Sequence, residues 1–207
     1  CGGFNSSINK ETFKLIKSLE DQNKKVQLLP VGKKSRDFFN RIMKEKIVES
    51  FVDTNVSVTG YNAATKISNK LQELFFDGKF DKCILVYNKF KSAIAQEVTH
   101  QQLIPLDFSS TNDDQNEESN ENTSIYIYEP DEETILADLL PKNISIQLFK
   151  VLLESDAGEQ GARMAAMDNA TRNAGEMIDS LTLKYNRTRQ AFITKELIEI
   201  ISGAESI

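Results

Sequence analysis

The sequence predicts an α/β domain followed by a long coiled-coil helix, and three observations carry that prediction. Short apolar runs alternate with helical patterns through the first hundred residues. From Lys142 to about Ile201 no proline intervenes, and small or apolar residues recur at alternating spacings of three and four. Between these regions, Ser109 to Asn122 is too polar and acidic to pack, and reads as a solvated loop. The expected division is therefore residues 1–141 for the α/β domain, with an acidic loop at 109–122, and residues 142–207 for the helix.

Taken in order, a helix is expected from about Ile8 to Asp21, with Phe13, Ile16 and Leu19 on one side. Val26 to Val31 reads as a strand ended by Gly32, and a short helix follows near Asp37 to Ile42. The β-branched run Asn55 to Thr59 is a second strand, and Ala63 to Phe76 a helix stopped by Asp77-Gly78. Asp81 to Tyr87 is a continuous apolar run of the kind buried on both faces in a parallel sheet. Ala93 to Leu106 is a further strand closed by Pro105, Ile125 to Tyr128 resumes a strand, and Thr134 to Leu140 makes a short helix interrupted by Pro141.

The heptad seam of the last helix runs Met167, Ala170, Ala174, Met177, Leu181, Lys184, Thr188, Ala191, Lys195, Ile198. Ala170 and Ala174 allow a partner backbone to approach closely, whereas Lys184, Thr188 and Lys195 weaken the seam further along. Phe192, Ile193, Leu197, Ile198, Ile200 and Ile201 spread over more than one face, which predicts a helix end surrounded by other chains.

Composition excludes several function classes. The 207 residues carry a formal charge of −6, which argues against a broad nucleic-acid footprint. Charge is uneven: Ser92 to Pro141 holds no Lys or Arg, while the last helix carries Arg163, Arg172, Lys184, Arg187, Arg189 and Lys195. Two cysteines, Cys1 and Cys83, give no disulfide framework, and no apolar run approaches the roughly 20 residues that span a bilayer. Cys1-Gly-Gly-Phe-Asn5 has the look of a loop following a strand, so an N-terminally incomplete chain is expected.

Candidate chemistry is thin. Gly32-Lys33-Lys34-Ser35 resembles the end of a phosphate loop, but Gln27 stands where the first glycine would be required, which leaves an exposed basic turn. His100 has no Cys or acidic residue at ligand spacing, so no metal site, no cofactor and no catalytic residue is expected. Asp131-Glu132-Glu133 precedes a helix, where carboxylates favour the positive end. Tyr126, Tyr128 and Glu129 give one strand face an amphipathic surface suited to a partner, and the same alternation also fits core packing.

The run Gly161 to Ala174, followed by Tyr185 to Ala204, closely resembles the C-terminal helix of the F-type ATP synthase gamma subunit. The resemblance extends to Cys1-Gly-Gly-Phe-Asn5, Asn88-Lys-Phe90 and Tyr126 through Asp131. It implies a Rossmann-like α/β foot between N- and C-terminal helices, which pair as an antiparallel coiled coil inside a hexamer of three alpha and three beta subunits. It further implies a non-catalytic central rotary stalk that couples proton flow to ATP synthesis in the beta subunits. Arg189, Gln190 and Thr194 match positions expected to touch a beta-subunit loop, and Tyr126, Tyr128 and Glu129 match the region near the c-ring. The implied partners are the alpha and beta subunits, the epsilon (or mitochondrial delta) subunit and the c-ring, with membrane contact only through the c-ring. The implied location is peripheral, on the cytoplasmic face of a bacterial inner membrane or the matrix face of the mitochondrial one. The alternative is an α/β regulatory or binding module that dimerises through its terminal helix.

Overall fold

The computed structural model describes residues 2–52, 60–92, 95–106, 129 and 131–205. The expected strands at 55–59 and 125–128 and the acidic loop at 109–122 lie outside the described residues. The chain divides into two compact units, residues 1–162 and 163–207.

In the first unit, α1 (Gly2–Asp21) starts six residues earlier than its apolar periodicity suggests. Its stop follows from Asn23, which takes a left-handed φ of 58°. That turn lets the amides of Asn23 and Lys24 donate to the carbonyls of Glu20 and Leu19 at 2.8 and 3.0 Å, satisfying carbonyls that the helix end leaves free. Helix α2 (Lys33–Ile42) begins directly after Gly32, so Lys33 and Lys34 are its first two residues rather than part of a turn. A single 3-10 turn, Lys44–Lys46, follows. Ile16 of α1 packs on Phe39 and Met43, and these form a small core with Phe13, Val26, Leu28, Phe38 and Ile47 around it.

The expected strand at Val26 to Val31 survives as two isolated parallel bridges, Leu28 with Ile47 and Val31 with Phe51. Helix α3 (Tyr61–Phe76) buries Ala63, Ala64, Ile67, Ser68 and Leu71, one stripe at helical spacing. Its stop is the expected Asp77-Gly78: Gly78 takes a φ of 65°, and the Lys79 amide donates to the Leu74 carbonyl at 3.0 Å.

Strand β1 (Cys83–Phe90) corrects one expectation. Among the described residues it pairs with β2 (Gln96–Ile104), and the pairing is antiparallel, from Cys83 opposite Ile104 to Phe90 opposite Gln96. The cause is the short connection, where Lys91 and Ser92 amides donate to the Ala95 carbonyl at 3.2 and 3.0 Å. Strands joined that tightly run in opposite directions, because a parallel partner needs a crossover of a dozen or more residues.

Helix α4 (Glu132–Glu205) is continuous through Pro141, so the expected short helix and long helix are one element. Asp131 caps it, accepting from the Thr134 amide at 3.0 Å and the Thr134 hydroxyl at 2.7 Å, as the acidic run before it suggested. Those bonds hold the Asp131 carboxyl below its usual range. Pro141 costs an intrahelical hydrogen bond. The following turns are held by burial, since Leu148 joins Ala64, Ile67, Leu71, Leu103 and Ile104 in the main core, with Ile144, Phe149 and Leu152 against it.

Candidate partner-binding surfaces

The second unit is helix throughout its described length and has no core. Every residue from Ala166 to Ala204 is exposed. Seam residues Met167, Met177 and Leu181 are 63%, 65% and 57% exposed, so the stripe that the heptad spacing identifies stands uncovered. Ala170 and Ala174 lie one and two helical turns beyond Met167 on that stripe. The polar seam position Thr188 is less disruptive than its type suggests. Its hydroxyl donates to the Lys184 carbonyl one turn back at 2.9 Å, so it brings no unmet donor to a partner. Lys195 is drawn to Glu199 at 3.6 Å along the same helix.

Towards the end of the helix, Phe192, Ile193, Leu197, Ile198, Ile200 and Ile201 are all at least half exposed. At about 100° per residue they cover roughly two-thirds of the circumference, too much for one packing face. Gln190 and Thr194 are one turn apart and share a face, while Arg189 stands about 100° round from Gln190. All three side chains are exposed. Of the residues expected near the c-ring, Glu129 is exposed, whereas Tyr126 and Tyr128 lie outside the described residues.

In the first unit a polar network, which periodicity does not reveal, ties the strands to the helices. The Tyr87 hydroxyl donates to Gln101 at 3.2 Å, Gln101 donates to Gln147 at 3.0 Å, and Gln147 donates to Asn143 at 2.5 Å. Burial, followed by the charge of Glu154, raises the Tyr87 hydroxyl above its ordinary pKa. Asn88, almost fully buried, donates to the Phe4 carbonyl at 3.4 Å and so anchors the first turn of α1 on β1. Phe4 also lies against Gly158 of α4, where an added Cβ would sit 3.1 Å from the ring. The visible signals for these contacts were an asparagine inside an apolar strand and a glycine inside a helix.

Cys83 is a free thiol that burial pushes up to about 11, which leaves it protonated and unreactive at neutral pH. Among the described residues no three His, Cys, Asp or Glu side chains converge into a metal site, and no helix is long and apolar enough to cross a membrane.

The first unit is a small α/β body, and the second, among the described residues, is a single helix. A family model described as ATP synthase matches residues 1–207. The chain belongs to the ATP synthase gamma-chain family. It is 54% identical over 211 residues to the ATP synthase gamma chain of Rhodospirillum rubrum, covering all of this chain and 70% of that one. It is 51% identical to the gamma chain of Sinorhizobium medicae, covering all of this chain and 69% of that one. Among solved structures it is similar to a chain of the Tetrahymena thermophila mitochondrial ATP synthase central stalk and c-ring. That match has 27% identity and a TM-score of 0.59, over 81% of this chain and 69% of that one. A chain of the Euglena gracilis mitochondrial ATP synthase shares the fold, with a TM-score of 0.62 at 20% identity over 94% of this chain and 67% of that one. The role of this family member is that of a central-stalk subunit.

Proposed function

We propose that this chain is the rotor that couples proton flow through a membrane c-ring to ATP synthesis in catalytic beta subunits, and does no bond-making chemistry itself. The observation that carries the proposal is the apolar belt between Phe192 and Ile201, exposed over most of the circumference of the helix. An apolar surface on several faces is stable only inside a sleeve, and a ring of alpha and beta subunits supplies one. Contacts there must be exchangeable, because a shaft that bound one of three equivalent stations tightly would stop.

In this reading the seam from Met167 to Leu181 packs on a second helix, as in the antiparallel pair that the gamma resemblance implies. Arg189, Gln190 and Thr194 engage a beta-subunit loop, and Tyr126, Tyr128 and Glu129 stand next to the c-ring, with the epsilon (or mitochondrial delta) subunit on the same foot. The subunit is peripheral on an energy-transducing membrane.

Native mass spectrometry of the full-length gene product, gently released from its source membranes, tests this. One copy with three alpha and three beta chains is expected. A homodimer without those chains would replace the rotor with a module that dimerises through its helix.

A further inference from the structure

We infer that the solvent face of α2, with the chain flanking it, is an electrostatic contact for an anionic phospholipid surface. This is a route to the membrane separate from the c-ring, and the argument does not depend on the rotor reading.

The segment from Lys24 to Lys46 holds eight Lys or Arg and two Asp or Glu, a local charge of +6 in a chain whose net charge is −6. Phe39 fixes which side of α2 faces the core, because its ring is buried against Ile16 and Met43. At about 100° per residue, Lys33, Lys34, Asp37 and Arg41 then fall within roughly 100° of arc on the opposite side. Lys33, Lys34 and Arg41 are exposed, and none forms an ion pair among the described residues. The one carboxylate on that face is already occupied: Arg36 donates to Asp37 through Nε at 3.1 Å and Nη2 at 2.8 Å. The bonds from Arg36, and beyond them the charges of Arg36, Lys33 and Arg41, hold the Asp37 carboxyl below its ordinary range.

Stability of the helix does not account for this placement. Lys33 and Lys34 occupy the first turn of α2, where the helix dipole disfavours cations, and that turn contains no acidic residue. Among anionic partners, the composition favours lipid over an acidic protein. Protein interfaces are depleted in Lys and rely on buried aromatic or Arg anchors, whereas basic segments are drawn to anionic headgroups by charge alone. The remainder of the chain is strongly acidic, so an anionic surface attracts this face and repels the rest, which orients the subunit. Such a contact is long-range, unspecific in register and weak enough to slide.

The test is sedimentation of the full-length gamma chain with phosphatidylcholine vesicles, with and without phosphatidylglycerol. The exposed apolar helix contributes to both vesicle types alike, so the ratio of the two partition coefficients is the readout. A wild-type ratio well above one is expected, falling roughly a hundredfold in the triple variant Lys33→Gln, Lys34→Gln, Arg41→Gln, since each basic residue near the surface contributes about 1 kcal/mol. The preference should also vanish at roughly 0.5 M salt, where the screening length is about 4 Å. All three positions are exposed, so the melting temperature of the variant should match wild type, and a circular dichroism melt checks this. A wild-type ratio of one, or a triple variant that keeps the wild-type ratio, overturns the inference. Wild-type indifference to vesicles combined with tight binding to poly-glutamate would assign the face to an acidic protein instead.

Discussion

Leu181 and Leu103 are the same residue type in opposite situations, and the contrast gives the sharpest prediction. Leu181 lies on the seam and is 57% exposed, while Leu103 lies in the core and is 0% exposed. An exposure of that size on a leucine is on the order of 100 Å² of apolar surface, and truncation to Ala removes most of it. If a partner helix covers the seam, Leu181→Ala forfeits about 2 kcal/mol of pairing at ~25 cal/mol per Å², roughly a thirtyfold weakening. The chain's own stability should move by less than about 0.5 kcal/mol, because Leu181 belongs to neither hydrophobic core of the described residues. Leu103→Ala removes a fully packed side chain and should destabilise the chain itself by about 2–5 kcal/mol, lowering its melting temperature by several degrees or more. Thermal unfolding by circular dichroism reads the stability of the chain itself, and the yield of assembled complex at limiting subunit concentration reads the pairing. A Leu181→Ala chain that melts as early as Leu103→Ala, or that assembles with wild-type affinity, would refute the reasoning.

Three further outcomes are expected. Replacing both Arg189 and Gln190 with Ala should leave the melting temperature unchanged, since both side chains are exposed, yet lower coupled ATP turnover several-fold in the assembled complex. Unchanged turnover would remove the proposed beta contact. Asn88→Ala should cost about 1–3 kcal/mol, because the Phe4 carbonyl loses a buried donor, with early loss of amide protection in the first turn of α1 as the local signature in hydrogen exchange. The Cys83 thiol, raised from an ordinary 9.0 to about 11, keeps its proton in the folded chain at pH values where the unfolded chain has lost it. Its contribution is therefore complete below pH 9 and falls as pH rises toward 11, by on the order of 2 kcal/mol, so Cys83→Ser should flatten that part of the stability profile in urea titrations.

Much of the fold is legible from residues whose local chemistry has one outcome. Asp131-Glu132-Glu133 reads as favouring a helix start, and Asp131 does cap one, while Asp77-Gly78 reads as a stop because a left-handed position there needs a glycine. The seam is legible because heptad spacing survives whether or not a partner is present. The early start of α1 was hidden by Gly2 and Gly3, which carry no periodicity and have low helix propensity. Their helix is held through Asn88 and Phe4, a contact 84 residues away in sequence. Pro141 misled because propensity assigns it a break, while burial of Leu148, Phe149 and Leu152 beyond it outweighs the single missing bond. The apolar run of β1 suggested parallel neighbours, and only the length of the Lys91 to Ala95 connection identifies the antiparallel partner. Arg189, Gln190 and Thr194 leave no mark on the periodicity of their own helix, since what distinguishes them is the chain they would touch.

The bare helix has a consequence for the cell. A copy of this subunit made in excess of its partners displays, continuously and without any unfolding step, the kind of surface that chaperones and proteases otherwise meet only in damaged proteins. In the proposed rotor, pairing and enclosure hide that surface, so the side chains that serve the assembly are the ones an unassembled copy exposes.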